Sequence, residues 1–379
     1  MGRIANIAGA LGLAAAVTAG SLADVQAQAK KTESVQSPEY GMNIFIWGNP
    51  STTDRDLGLM RNAGFSWQKT LFQWREIEGE AKGRFNWTEA DRVVTASKAA
   101  GVKIIARVDF NPYWARADRA HNGPPDNTQD FADFVTALIS RYNRDSAIGR
   151  IQAIEIWNEP NIDKEWGGQP INQQSAVDYV RLLKAGYTAA KAADPSVQVV
   201  TGGLSPTCTD NNTARPDDVY LQWMYDAGAK DYFDVLGAHG AGYDKPPSAS
   251  PQESADKHSG CRAFTFRRVE DLRDVMVSNN DADKQVWLLE FGWTTDQVNP
   301  AYSWHAVSPQ TQGEYLVGAY RWAHQNWAPW IGVMTLWTFP DPNWSPAREE
   351  YWWAITEPDG SARPAYQRLA AARAAGELP

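Results

Sequence analysis

Glu155-Ile156-Trp157-Asn158-Glu159-Pro160 and, far downstream, Val286-Trp287-Leu288-Leu289-Glu290-Phe291-Gly292 each run through apolar residues to a carboxylate. An apolar run with β-branched and aromatic residues reads as a buried strand, and a glutamate at its C-terminal end packs poorly in a core. Two such glutamates meet only if the fold gathers strand ends in one place, as a parallel β/α barrel does. Two facing carboxyl groups there suit the cleavage of a glycosidic bond, one protonating the leaving oxygen while the other works at the anomeric carbon.

Glu155 shares the first motif with Glu159 and competes with it. It lies roughly 13 Å lower at the rise of a strand, so it belongs in the barrel interior or behind the site. Asn158 and Glu159 pose another problem, because adjacent side chains on an ideal strand face opposite ways. If both serve one site, the strand must bulge or end there, and Pro160 favours an ending.

The elements that must position these groups follow from the alternation of apolar runs with helical periods. Strands are expected at 42–47, 66–72, 102–109, 151–157, 197–202, 235–239, 286–290 and 333–337. Helical patterns cover 88–100, 130–142, 175–193, 217–227, 267–278, 310–325 and 364–375. Thr88 opens and Gly101 closes the first of these, and Ser308-Pro309 supplies a cap and a first-turn proline. Eight strands alternating with helices favour an α/β fold, a closed (β/α)8 TIM barrel in one domain, over an open sheet. Glu159 then ends the fourth strand and Glu290 the seventh, on the C-terminal face where such barrels keep their sites.

Ahead of the barrel, Met1-Gly2-Arg3, an apolar stretch to Gly20 and Ala27-Gln28-Ala29 have the form of a secretory signal peptide cut after Ala29. Residues 30–39 read as a linker and 40–379 as the catalytic domain of a secreted or periplasmic protein. No later run resembles a membrane span. A net charge of −9, with no basic run after the signal, argues against nucleic acid and anionic membranes as partners. The five histidines share no metal-ligand spacing, so no metal is expected, and no cofactor either. Cys208 and Cys261 are the only cysteines, and in an exported chain they are expected to form a disulfide between the loops after strands five and six.

The 18 tryptophans are the outlying number in the composition, and many stand beside Gly, Pro and Asn. Flat aromatic faces next to polar groups are how proteins hold sugar rings. Trp47, Trp74, Trp114, Trp166, Trp293 and Trp344 fall at or just past expected strand ends, which share one face of a barrel. Several platforms there imply an open groove and an endo-acting enzyme on an oligosaccharide or polysaccharide, working as a monomer.

Asn158-Glu159-Pro160 after one strand and Glu290-Phe291-Gly292-Trp293 after another resemble clan A, the retaining glycoside hydrolases built on (β/α)8 barrels. Phe72-x-Trp74-x-x-Ile77-Glu78, Arg84-Phe85-Asn86-Trp87, Asp234-Val235-Leu236-Gly237-Ala238-His239 and Pro364-Ala365-Tyr366 most resemble glycoside hydrolase family 39 and its exopolysaccharide-cleaving relatives. The resemblance implies that Glu159 is the acid/base, Glu290 the nucleophile, and Asn158 the partner of the sugar 2-hydroxyl. Chemistry asks for the same division, with the acid's pKa raised and the nucleophile ionised and held by donors. It also implies site roles for His239, at the end of the sixth strand, and for Trp337, beneath the catalytic subsite. Two positions depart from the clan's pattern. Lys69 stands where an arginine is usual, and Ala241 where a tyrosine orients the nucleophile. The nearest aromatic hydroxyl is Tyr243, so either the loop is longer or another residue holds Glu290.

Other readings use overlapping equipment. An exo-acting β-glycosidase or a transglycosylase would need the same glutamates. A carbohydrate-binding protein without turnover would need neither, and a metal-dependent hydrolase would need ligand spacing that the histidines lack.

Overall fold

Eight parallel strands close into a barrel in sequence order: β1 (Glu39–Asn43), β2 (Trp67–Leu71), β3 (Lys103–Val108), β4 (Ala153–Ile156), β5 (Gln198–Thr201), β6 (Val235–Ala241), β7 (Gln285–Gly292) and β8 (Ile331–Leu336). The computed structural model of the protein describes residues 35–378 apart from His121. The expected signal peptide and the first half of the linker lie outside the described residues. The principal helices are α1 (Thr53–Asn62), α2 (Thr88–Ala100), α3 (Thr128–Arg141), α4 (Gln173–Ala193), α5 (Asp217–Asp226), α6 (Val269–Ser278), α7 (Pro309–Asn326) and α8 (Pro364–Ala374). This is the single-domain (β/α)8 barrel that the sequence implies. β1 differs from expectation, starting and ending three to four residues early, because its partners Val333 to Leu336 on β8 pair with Glu39 to Met42.

Local chemistry explains the helix limits. Gly101 closes α2 at φ 68°, a left-handed position that glycine adopts without strain. The Ser308 hydroxyl accepts from Thr311 N at 3.0 Å, with Pro309 in the first turn of α7. Thr88 is not the cap of α2. Its amide instead donates to Asn86 Oδ1 at 3.2 Å.

The strands sort their side chains by alternation. One inward layer is apolar: Trp67, Ile105, Ala153, Val200, Val235, Trp287, Leu289 and Val333. Trp67 and Trp287 meet edge-on at 5.2 Å, and small neighbours make their space, since a Cβ at Gly332 would overlap the Trp287 ring. Truncating either indole to alanine would cost about 3–5 kcal/mol. Two residues further along, the inward row turns polar, with Lys69 on β2, Arg107 on β3 and Glu155 on β4. A floor of apolar side chains thus carries a layer of charge just under the C-terminal mouth.

Candidate active site

Irregular backbone brings the two glutamates onto that mouth. β4 stops at Ile156, and both Trp157 (φ 72°) and Glu159 (φ 40°) take left-handed conformations. Such strain in non-glycine residues costs about 1–3 kcal/mol each and gathers at functional sites. It resolves the alternation problem by ending the strand, and the Glu159 amide is anchored on Gly203 O at 3.0 Å. On β7 the register against β6 slips, so that Ala238 pairs with Leu288 but His239 pairs with Glu290. Leu289 already faces the barrel interior, and the bulge lets Glu290 face the site as well. Asn43 Nδ2 donates to Leu289 O at 2.9 Å, occupying a carbonyl displaced by the bulge.

His239 lies between the two carboxyl groups. Its Nδ1 is 3.0 Å from Glu159 Oε1 and its Nε2 is 3.7 Å from Glu290 Oε1. Gly203 makes room for the ring, since a Cβ there would overlap Nε2. Lys69 Nζ reaches Glu290 Oε1 at 3.0 Å and Glu155 Oε2 at 3.1 Å. Both neighbours of Glu290 therefore sit on Oε1, and the side chain remains 19% exposed. Asn158 is buried with no partner for Oδ1, the state of an acceptor kept for a ligand hydroxyl.

The electrostatics split from expectation in one respect. Burial works to raise Glu290, but His239 and Lys69 outweigh it and the carboxyl lies below its ordinary value, as a nucleophile requires. Glu159 was expected to be raised. Burial does push that way, yet the hydrogen bond and charge of His239, with Lys164 and Ser205, bring it down to about 2. In the substrate-free site Glu159 is therefore held as a carboxylate rather than as the acid that the first step needs.

The question of what holds Glu290 is answered by Lys69 and His239. Tyr243 is half-buried among Phe264, Trp304 and His305. Burial raises its hydroxyl, and the charges of Asp217 and Glu159 raise it further.

The tryptophans divide. Trp293 is wholly buried, its Nε1 donating to Lys245 O at 2.8 Å, and its ring packs on Phe266 and Tyr315, so it has no face for a sugar. Trp74 and Trp166 are likewise core residues. Trp47, Trp114, Trp337 and Trp344 are each partly exposed. Trp47 is tethered to Glu76, and Trp114 Nε1 donates to Glu78 O at 2.7 Å. Trp337 and Trp344 share Phe45 between them on the β1 and β8 side. Trp304, which the sequence reading passed over, is 48% exposed and stacks on Tyr243 at 5.8 Å on the β6 and β7 side.

The reading also passed over Arg107, Asp109 and Glu165. Arg107 donates to Asp109 Oδ2 at 2.7 and 2.9 Å and approaches Glu165 at 3.9 Å. Period-two alternation along β3, with Ile105, Arg107 and Asp109 on one face, was the available signal. Cys208 and Cys261 form the expected disulfide, with Cα atoms 5.7 Å apart.

Known proteins share this fold. A model of the cellulase family, glycosyl hydrolase family 5, matches residues 25–330. A β-xylosidase of Geobacillus stearothermophilus is 28% identical over 157 residues, 37% of this chain and 29% of that protein. A family 39 glycoside hydrolase from the gut symbiont Bacteroides cellulosilyticus WH2 superposes with a TM-score of 0.66 at 19% identity, over 90% of this chain and 64% of that one. A triple variant of an endo-β-1,4-glucanase from Xanthomonas axonopodis pv. citri superposes with a TM-score of 0.58 at 15% identity, over 88% and 98% of the two chains. The chain thus spans under a third of the curated relative and under two thirds of the family 39 structure. At these identities the solved structures establish a shared fold.

Proposed function

The chain belongs to the cellulase family, glycosyl hydrolase family 5, a member of clan A, and from that premise we propose a secreted, endo-acting hydrolase that cleaves an extracellular polysaccharide with retention. The observation that carries this reading is the meeting of Glu159 and Glu290 on one imidazole at the barrel mouth. Both carboxyl groups touching a single ring is compatible with the separation of about 5–5.5 Å found in retaining enzymes.

In this scheme Glu290 Oε2 attacks the anomeric carbon as the glycosidic bond breaks. Glu159, protonated when the sugar is bound, passes its proton to the leaving oxygen. Glu159 then takes a proton from water, which attacks the covalent intermediate and frees Glu290. Asn158 Oδ1 accepts from the sugar 2-hydroxyl, and Trp337 lies under the ring in the subsite that Glu290 attacks.

Endo action is supported by two partly exposed aromatic patches at the mouth, Phe45 with Trp337 and Trp344 on one side and Tyr243 with Trp304 on the other. A chain crossing between them would stack sugars before and after the scissile bond. The β-xylosidase similarity favours the alternative, removal of terminal sugars. Export is supported by the disulfide, which oxidising compartments preserve, and no helix among the described residues is long and apolar enough to cross a membrane. The test is size-exclusion analysis of cellulose derivatives, xylans, mannans and bacterial exopolysaccharides during digestion. Early loss of polymer length is the expected result for one of them. Release of monosaccharide at unchanged polymer length would make the enzyme exo-acting.

A further inference from the structure

Behind Lys69, which holds Glu290, lies Glu155, a buried carboxylate with no part in the mechanism above, and its surroundings give it a purpose. Lys69 is 3% exposed and Glu155 wholly buried. A charge so deep is tolerated only when paired and hydrogen-bonded. Glu155 Oε2 faces Lys69 Nζ at 3.1 Å as an ion pair without hydrogen-bond geometry, while Oε1 accepts from Gly203 N at 3.1 Å. Gly203 in turn binds the Glu159 amide through its carbonyl, at 3.0 Å, and lies against His239. The contacts close a circuit: Glu290 to Lys69, Lys69 to Glu155, Glu155 to Gly203, Gly203 to Glu159, Glu159 to His239, and His239 back to Glu290.

We infer that Glu155 is a positioning residue which, through Lys69, fixes the Glu290 carboxylate for attack and ties its position to that of Glu159. The inference rests on Glu290 being the nucleophile. An ammonium alone is a point charge on a flexible stem, and it lacks the planar fork by which a guanidinium sets a carboxylate's orientation. Glu155 supplies the missing constraint by fixing Lys69 from behind. It also shares the positive charge, so Lys69 orients Glu290 without fully quenching it. The groups facing this pair are Glu290 from β7, Asp109 and Arg107 from β3, Tyr179 from α4, and the neutral Gly203 beyond β5. No other cation shares Glu155 at ion-pair distance among the described residues.

The test is a double-mutant cycle of Glu155→Gln, Lys69→Met and the two combined. The probe is whichever of the 4-nitrophenyl β-glycosides of glucose, xylose and cellobiose the unaltered enzyme turns over. Glu155→Gln is nearly isosteric and keeps an acceptor for Gly203, and the combined variant buries no unpaired charge. Each single change should slow kcat about tenfold or more with KM within about twofold, and the pair together should be no slower than the slower single variant, because the two act as one unit. Thermal unfolding of the combined variant should stay close to that of the parent. An undiminished kcat in folded Glu155→Gln, or losses that multiply in the combined variant, would overturn the inference and leave the hydrolase reading intact. An inactive parent on every glycoside and polysaccharide would instead remove the reading on which the inference rests.

Discussion

Replacing His239 with phenylalanine keeps a ring beside Gly203 and deletes the charge and the donor that face Glu159. The Glu159 carboxyl is held at about 2 against an ordinary 4.5. A carboxyl depressed in the folded state adds stability above its unfolded value and loses it as pH falls toward the folded one. The difference corresponds to about 3 kcal/mol at pH 5.5, where the contribution is nearly complete, and to about half of that at pH 3. Without His239, only Lys164 and Ser205 oppose burial, and the carboxyl moves back up toward its ordinary value. Urea unfolding of parent and variant at the two pH values should therefore show a gap of about 3 kcal/mol that narrows by about half on acidification. Packing changes around the new ring would add an offset that does not depend on pH. A gap of constant size from pH 5.5 to pH 3 would refute the claim that His239 sets the ionisation of Glu159.

Three other perturbations separate the roles. Glu159→Ala should keep the first step on dinitrophenyl glycosides, with turnover recovered by added azide, whereas Glu290→Ala should lose all turnover; equal behaviour of the two in steady-state assays would reverse or cancel the assignment. Gly203→Ala sets a methyl where His239 Nε2 now lies, so kcat/KM should fall at least about tenfold while the circular dichroism spectrum is retained. Changing Cys208 and Cys261 together to serine releases a bridge across 53 positions, which by loop entropy is worth about 4 kcal/mol and about 5 °C in Tm for a chain of this length. Calorimetry showing no drop would mean that the loops hold each other without the bridge.

Much of this arrangement is legible in the sequence. Strand interiors such as Ile104, Ile105 and Ala106, or Val286 to Leu289, are buried on both faces in a barrel and so read as unbroken apolar runs. Gly101 and Ser308-Pro309 marked helix ends because their backbone chemistry is local. β1 was misplaced for the opposite reason. Ile44 and Ile46 are buried beyond the strand rather than within it, and hydropathy does not distinguish the two. α1 went unseen because Thr53–Asn62 carries few apolar residues and a glycine in its middle.

The site was legible in residue type and less so in geometry. Asn158-Glu159-Pro160 announced an irregular strand end, but the left-handed turns at Trp157 and Glu159 come from tertiary contacts such as the one with Gly203 O. The bulge at Leu289 has no sequence mark at all. Lys69, Arg107 and Glu155 could have been grouped as one inward charged layer, since each follows an apolar inward residue by two positions. Trp293 misled by its place next to the Glu290 motif, whereas Trp304 lies deep in a loop where no strand end points to it.

The most direct test is covalent capture of the nucleophile. Incubation with a 2,4-dinitrophenyl 2-deoxy-2-fluoro-β-glycoside of the sugar that the enzyme prefers should stop turnover with release of one equivalent of dinitrophenol. Peptide mass spectrometry should then find the fluorosugar on Glu290, and proton NMR of products from the unmodified glycoside should show the β-anomer first. A label on any other carboxylate, or the α-anomer as first product, would contradict the assignment of Glu290 and Glu159.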